Sequence, residues 1–177
     1  MNWETGKSQL LYSRAEIEVL VLDIAKAIYK SDYRPDIVIP IMIGGFMFCA
    51  DLMRELYAFN INPRMDVLWL SSYQDKKSRG AISLVSLPRE RFKNQSVLLV
   101  DGVLDSGQTI RRARSVIFGL GAGKVRTAVL IDKQLPQALE TADFAGVTGD
   151  VGFVFGYGMD DGGFSRGASG VFRSKSD

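Results

Sequence analysis

The chain has 177 residues, 46% hydrophobic and 24% charged, which suits one compact domain over residues 1–177 with enough apolar surface for a sizeable core. Lys and Arg number 22 against 20 Asp and Glu, and this scattered net charge of +2 argues against a nucleic-acid or anionic-membrane partner. With no histidine in the chain, Ser-His and Cys-His nucleophile pairs, His-bound metals and the usual general base are excluded, so acid-base work falls to Asp, Glu, Lys or Tyr.

In chain order, residues 13–29 open with Ser13 and Glu16 at capping-box spacing and repeat Ile17, Leu20, Val21, Ile24, Ala25 and Ile28 on one helical face. Residues 36–42 form an apolar, β-branched strand stopped by Gly44-Gly45, and residues 46–58 read as a helix. The longest apolar stretch, residues 37–50, is too short for a membrane span and is broken by Pro40, Gly44 and Gly45. It also carries the single cysteine, Cys49, which has no intrachain disulfide partner; with no signal pattern at the start of the chain, a reducing cytoplasm is expected. Residues 65–70 and 81–87 are candidate strands around a polar segment, 71–80, that reads as a mobile loop. A buried strand at 97–100 is followed by a helix with Ile110, Ala113, Ile117 and Leu120 inside and Arg111, Arg112 and Arg114 outside. Residues 125–131 are another buried strand, 152–157 a weaker one, and 174–177 a frayed end. Strands alternating with helices predict an α/β fold, a mostly parallel sheet covered on both faces.

The informative stretch is 97–109, VLLVDGVLDSGQT: a strand ending at Asp101, then Asp105 to Thr109 at a helix start. Ligands of open α/β sheets bind beyond the carboxyl ends of strands, and a helix N-terminus with small residues is an anion site. Asp101 and Asp105 suit sugar hydroxyls, hydrated Mg²⁺ or proton transfer beside a bound phosphate. The competing reading is that Asp105 and Ser106 simply cap a helix that follows a strand. Two other glycine patterns fail as phosphate loops. Gly123-Lys124 has Phe118 in place of the first P-loop glycine and precedes a strand, and Gly119, Gly121 and Gly123 follow a helix as a turn would.

VLLVDGVLDSGQT resembles the phosphoribosyl-diphosphate motif of type I phosphoribosyltransferases, and the likeness extends to the 6-oxopurine branch typified by hypoxanthine-guanine phosphoribosyltransferase. PIMIGGFMFCADLMREL (40–56) resembles that branch's pyrophosphate loop and helix, and Ser72-Tyr73 the pair in its mobile active-site loop. Asp132-Lys133, FVFGYGMD (153–160) and Arg166 are similar to its purine and pyrophosphate segments. The resemblance implies a type I phosphoribosyltransferase fold with a small hood built from the chain termini. It implies a homodimer or homotetramer that joins hypoxanthine, guanine or xanthine to phosphoribosyl diphosphate.

On this likeness the 5′-phosphate would rest on Asp105, Ser106, Gly107, Gln108 and Thr109, with Asp105 also exchanging a proton with the purine N7. Asp101 would bind ribose hydroxyls or Mg²⁺, Asp160 would anchor Mg²⁺ through water, and Gly44, Gly45 and Arg166 would hold pyrophosphate. Lys133 would donate to O6, Phe153 would stack on the base, and the Val154 backbone would meet its C2 edge, while the loop with Ser72 and Tyr73 closes over the site.

Two positions depart from the family pattern. Gly102 stands where a second acidic residue is usual; a lost charge-assisted hydrogen bond costs about 1.5–3 kcal/mol, so Asp at position 102 is expected to tighten sugar-diphosphate binding. Ile43 replaces a common basic residue before Gly44-Gly45. These departures support an alternative reading, a nucleotide-binding regulatory protein with weak or no turnover.

Overall fold

The computed structural model describes residues 8–72, 82–86 and 92–174. Strand β1 (Ser8–Tyr12) leads into helix α1 (Arg14–Lys30), whose N-cap Ser13 and Glu16 form the reciprocal capping box expected from their spacing. Strand β2 (Ile37–Met42) and helix α2 (Phe46–Ala58) follow, then β3 (Arg64–Met65), β4 (Leu68–Ser72) and β5 (Ile82–Ser86). The central β6 (Ser96–Leu104) feeds α3 (Gln108–Gly119), and β7 (Lys124–Asp132), β8 (Phe144–Thr148), β9 (Val154–Phe155) and β10 (Val171–Ser174) complete the order.

The main sheet runs β5-β4-β2-β6-β7-β8, with β3 also paired to β2. All pairs are parallel except β4 with β5, so the expected mostly parallel sheet flanked by helices is what forms. Side chains alternate across its faces. Val38, Leu98, Val100 and Leu130 meet Ile17, Val21 and Ile24 of α1 and Leu52 and Leu56 of α2, while Ile37, Ile39, Val97, Leu99 and Val129 meet Ile110, Ala113 and Ile117 of α3. Both faces are therefore covered, and the ends of the strands are left to carry polar residues. No helix among the described residues is long and apolar enough to cross a membrane.

A separate antiparallel sheet, β1-β10-β9, joins the two ends of the chain, pairing Ser8 with Ser174 and Phe172 with Phe155. It corrects the reading of Ser174 as frayed: its N–H donates to the Phe153 carbonyl at 3.0 Å. Strand β6 runs four residues beyond Val100, because Asp101, Val103 and Leu104 keep their register with Val129, Ile131 and Asp132 of β7. The stretch 65–70 is two strands, β3 and β4, and 152–157 contributes only the two residues of β9. Arg114 is no outward-facing cation. Its guanidinium turns back to the Val125 carbonyl at 3.2 Å and to the Asp143 carboxylate at 2.9 Å.

Gly45 is a point of close approach between β2-α2 and β6. A Cβ there would lie 2.5 Å from the Val100 carbonyl oxygen and 3.0 Å from Asp101 Cα. Gly45→Ala is therefore expected to lower stability by about 1–3 kcal/mol, measured as a lower urea midpoint at unchanged slope.

Candidate active site

A cleft of about 400 Å³ opens at the carboxyl ends of the parallel strands, where ligands of such sheets bind. Three chain segments form most of its wall, with Leu70 of β4 beside them: Met42, Ile43 and Gly44 at the end of β2; Asp101 and residues 103–107 running into α3; and Phe153, Val154, Met159, Asp160 and Arg166 from the C-terminal part. The peptide between Met42 and Ile43 is cis.

The turn into α3 has the features of an anion seat. Gly107 is the N-cap with φ +74°, a left-handed conformation that glycine adopts without strain, and no side chain caps the helix. A Cβ on Gly107 would also fall 2.7 Å from the Glu140 nitrogen. Ser106 Oγ lies 3.5 Å from the Gln108 N–H, at the limit of a hydrogen bond, so the plain-cap reading of Asp105 and Ser106 has little support. The first-turn N–H groups of α3 thus keep their positive end for a ligand. Ser106, Gly107 and Thr109 line the cleft, whereas Gln108 is exposed and does not.

Asp101 stands at the inner wall of the cleft, its Oδ1 accepting the Gly102 N–H at 2.8 Å. Loss of solvent raises its carboxyl from the ordinary 3.8 to about 7, against the opposing pull of that N–H. Asp105 is more exposed, and its Oδ2 is 2.6 Å from the Lys133 ammonium, itself 8% exposed. Lys133 does not line the cleft; it reaches the cleft through Asp105. The sequence reading gave these two residues separate tasks, and their separation by 28 positions hid their contact.

Asp160 and Arg166 are also partners. Arg166 Nη2 is 2.7 Å from Asp160 Oδ1, its Nη1 donates to the Gly158 carbonyl at 2.7 Å, and the Gly163 N–H donates to Asp160 Oδ2 at 2.9 Å. Phe153 is half-exposed at the rim and Val154 is buried in β9. Gly44 lines the cleft, but the Gly45 N–H is taken by the Ile41 carbonyl at 3.0 Å. Gly45 is therefore a packing residue, not the second pyrophosphate donor expected. Ser72 ends β4, and Tyr73 with segment 73–81 lies outside the described residues. Cys49 is buried, does not line the cleft, and has its thiol pushed up to about 12 by burial.

The space beside Gly102 is occupied. A Cβ there would meet Met159 Cγ at 2.9 Å and the Gly44 carbonyl oxygen at 3.1 Å. This corrects the expectation that an acid at 102 simply restores a missing contact. Met159 escaped the sequence reading because only its position between Gly158 and Asp160, within a quoted motif, pointed to it.

The phosphoribosyl transferase domain model matches residues 9–161. The chain belongs to this family. Among curated relatives of this phosphoribosyltransferase is the hypoxanthine-guanine phosphoribosyltransferase of Aquifex aeolicus (strain VF5), 32% identical over 171 residues that cover 94% of each chain. The Dictyostelium discoideum enzyme of the same name is 26% identical, covering 86% of this chain and 87% of its own. Among solved structures, the hypoxanthine phosphoribosyltransferase of Trypanosoma cruzi superposes with a TM-score of 0.82 at 25% identity, over 96% of this chain and 97% of that one. A second structure, from work on the role of its C-terminal region in oligomeric state and activity, gives 0.84 at 26% identity, over 97% and 93%.

Two outcomes follow from the packing and charge of the cleft. Gly102→Asp should lower the urea midpoint, equivalent to about 1–3 kcal/mol, with part recovered when Met159→Ala makes room. For Asp101, the raised value of about 7 means that the folded state binds more protons than the unfolded one, so its contribution is present at low pH and lost as pH rises through 7. In buffer free of divalent cations, Asp101→Asn should therefore gain about 2–3 kcal/mol more over the natural protein at pH 8 than at pH 5, measured by urea unfolding at both.

Proposed function

We propose that this phosphoribosyltransferase is a cytoplasmic purine-salvage enzyme. It joins a 6-oxopurine, hypoxanthine, guanine or xanthine, to phosphoribosyl diphosphate and releases the nucleoside 5′-monophosphate and pyrophosphate. The observation that carries this reading is the pair Asp105–Lys133, a carboxylate and an ammonium 2.6 Å apart beside the open N-terminus of α3. A 6-oxopurine presents N7–H and O6 side by side, one donor and one acceptor, and this pair answers both. Adenine offers an amino group in place of O6, which would leave two donors facing each other.

In the reaction, the N9–C1′ bond forms as the bond from C1′ to the pyrophosphate oxygen breaks. The N7 proton passes to the Asp105 carboxylate, which has no histidine as a competitor for the task. Lys133, sharing its charge between O6 and Asp105, balances the negative charge that builds on the base as the proton leaves. Ser106, Gly107 and Thr109 hold the 5′-phosphate at the helix end, Gly44 and Arg166 hold the pyrophosphate, and Phe153 covers the base against Val154. Asp101 faces the ribose hydroxyls.

The described residues include no cluster of three metal-ligating side chains. Mg²⁺ is ordinarily held by one or two carboxylates together with substrate phosphates, so Asp101 and Asp160, both lining the cleft, fit it. When bound, Mg²⁺ neutralises charge on the diphosphate. Assembly as a homodimer or homotetramer belongs to the same proposal, supported by the Trypanosoma cruzi relative in which the C-terminal region has a role in oligomeric state.

The test mixes the protein with phosphoribosyl diphosphate, Mg²⁺ and one of hypoxanthine, guanine, xanthine or adenine, and follows nucleotide and pyrophosphate. Turnover is expected with 6-oxopurines and not with adenine. Asp105→Asn should lower kcat by about 10²-fold or more while nucleotide binding persists. Nucleotide binding by the natural protein without turnover on any base would instead favour the regulatory reading.

A further inference from the structure

Asp132 is a buried carboxylate, 1% exposed, that the reaction just described does not use. It ends β7, and its two oxygens face different places in the chain: Oδ1 accepts the Gln134 N–H at 3.0 Å and Oδ2 the Ala142 N–H at 2.9 Å. One side chain thus closes both ends of the loop 134–142. Its own main-chain carbonyl accepts the Gly149 N–H at 2.9 Å, which ties the same point to the end of β8. The loop starts with Gln134 at φ +50°, a left-handed conformation that a glutamine seldom takes, held here by the hydrogen bond to Asp132.

Four consecutive residues of the β6-α3 turn are met in order by the segment that Asp132 secures. The Lys133 N–H donates to the Leu104 carbonyl at 3.0 Å, and the Lys133 ammonium to the Asp105 carboxylate at 2.6 Å. The Leu139 N–H donates to the Ser106 carbonyl at 2.9 Å, and Glu140 packs its backbone where a Gly107 side chain would be. Glu140 is further held by Arg114 of α3 at 3.5 Å. The turn that seats the phosphate has no side-chain cap of its own, so its shape is fixed from outside by this strap.

We propose that Asp132 is a positioning residue for both ends of the ligand. Through residues 133–142 it sets the proton-accepting carboxylate of Asp105 and the phosphate-binding turn 106–109 in one arrangement. The inference rests on the 5′-phosphate reading above and gives it a structural origin outside the cleft. Asn at position 132 keeps the shape and one acceptor, but turns an NH₂ group toward one of two N–H donors, so one end of the strap is released.

Ribose 5-phosphate, which carries no base, is titrated calorimetrically into the full-length natural protein, Asp132→Asn, Leu139→Pro and the double variant. Leu139→Pro removes the strap's N–H to Ser106 at a half-exposed residue while leaving Asp132 intact. Each single change is expected to raise Kd about tenfold, the effect of one lost hydrogen bond, and the double variant no further, because both act through one contact. Asp132→Asn should also raise the KM for the base more than it lowers kcat, since it misplaces Asp105 and Lys133 without removing them. A Kd within twofold of the natural protein for Asp132→Asn, or fully additive effects in the double variant, overturns the inference while leaving the phosphate site intact. If Asp132→Asn does not fold, Leu139→Pro decides alone, and an unchanged Kd overturns the strap's role. Failure of the natural protein to bind ribose 5-phosphate overturns the phosphate-site reading and this inference together.

Discussion

The cleft depends on strand β6 staying paired to β7 as far as Leu104, beyond the point at Val100 where its pairing with β2 ends. Nine residues, buried between β2 and β7 for much of their length, carry the chain into the site at a fixed height and deliver it to α3 through the turn 105–107. An edge strand or a strand that ended at Val100 would leave Asp101 in solvent and Asp105 on a free loop. The continued register with β7 instead puts Asp101 inside a strand, where desolvation raises its carboxyl to about 7, and sets Asp105 opposite the end of β7, where Lys133 waits. One constraint on the backbone thus gives two carboxylates, four residues apart, very different surroundings.

Charge at the cleft is stored as pairs. Asp105 holds Lys133, and Asp160 holds Arg166. Separating a partly buried pair leaves unpaired charge, which is costly unless an incoming group replaces the lost partner. A ligand that offers an acceptor to Lys133, a proton to Asp105 and an anion to Arg166 meets that condition at every point. An apolar molecule of similar size meets none of them, so the paired charges favour a polar ligand over an apolar competitor.

Much of the architecture was legible in the sequence because it rests on local pattern. Helix α1 carries its capping box and its apolar stripe, α2 begins and ends where the apolar run and Gly45 put it, and β2 and β7 are continuous apolar runs. Strands β1 and β10 escaped notice because each gains its partner from the far end of the chain, and Leu10 and Tyr12 show no pattern that foretells Phe172 and Val171. Strand β8, FAGVT, is short and interrupted by Gly146, whose Cβ would lie 2.9 Å from the Leu130 carbonyl, so this glycine permits a close contact that no local pattern announces. In the site, motif order singled out segments that meet at the cleft and missed the contacts their residues make: Lys133 with Asp105 across the sheet, and, within single short stretches, Arg166 with Asp160 and the carbonyl of Ile41 with the N–H of Gly45. Spacing along a chain reports on one helix face or one strand; it carries no signal for a pair brought together by the sheet, such as Lys133 with Asp105, or for the course of an irregular turn.

Gly102 shows how a departure in sequence changes meaning once its neighbours are known. It is buried where Gly44 of the β2-α2 turn and Met159 of the C-terminal segment converge, so three walls of the cleft are in contact at a residue without a side chain. An acid there would separate these walls and add a fourth carboxylate to Asp101, Asp105 and Asp160 of the cleft. Like charges at close range in a partly desolvated cleft repel, and Lys133 and Arg166 are already engaged. The glycine and Met159 together exchange one polar contact for close packing and a less negative cleft. That exchange is consistent with the exposed, uncharged Ile43 on the neighbouring wall, which gives up a cation on the side where Gly102 gives up an anion.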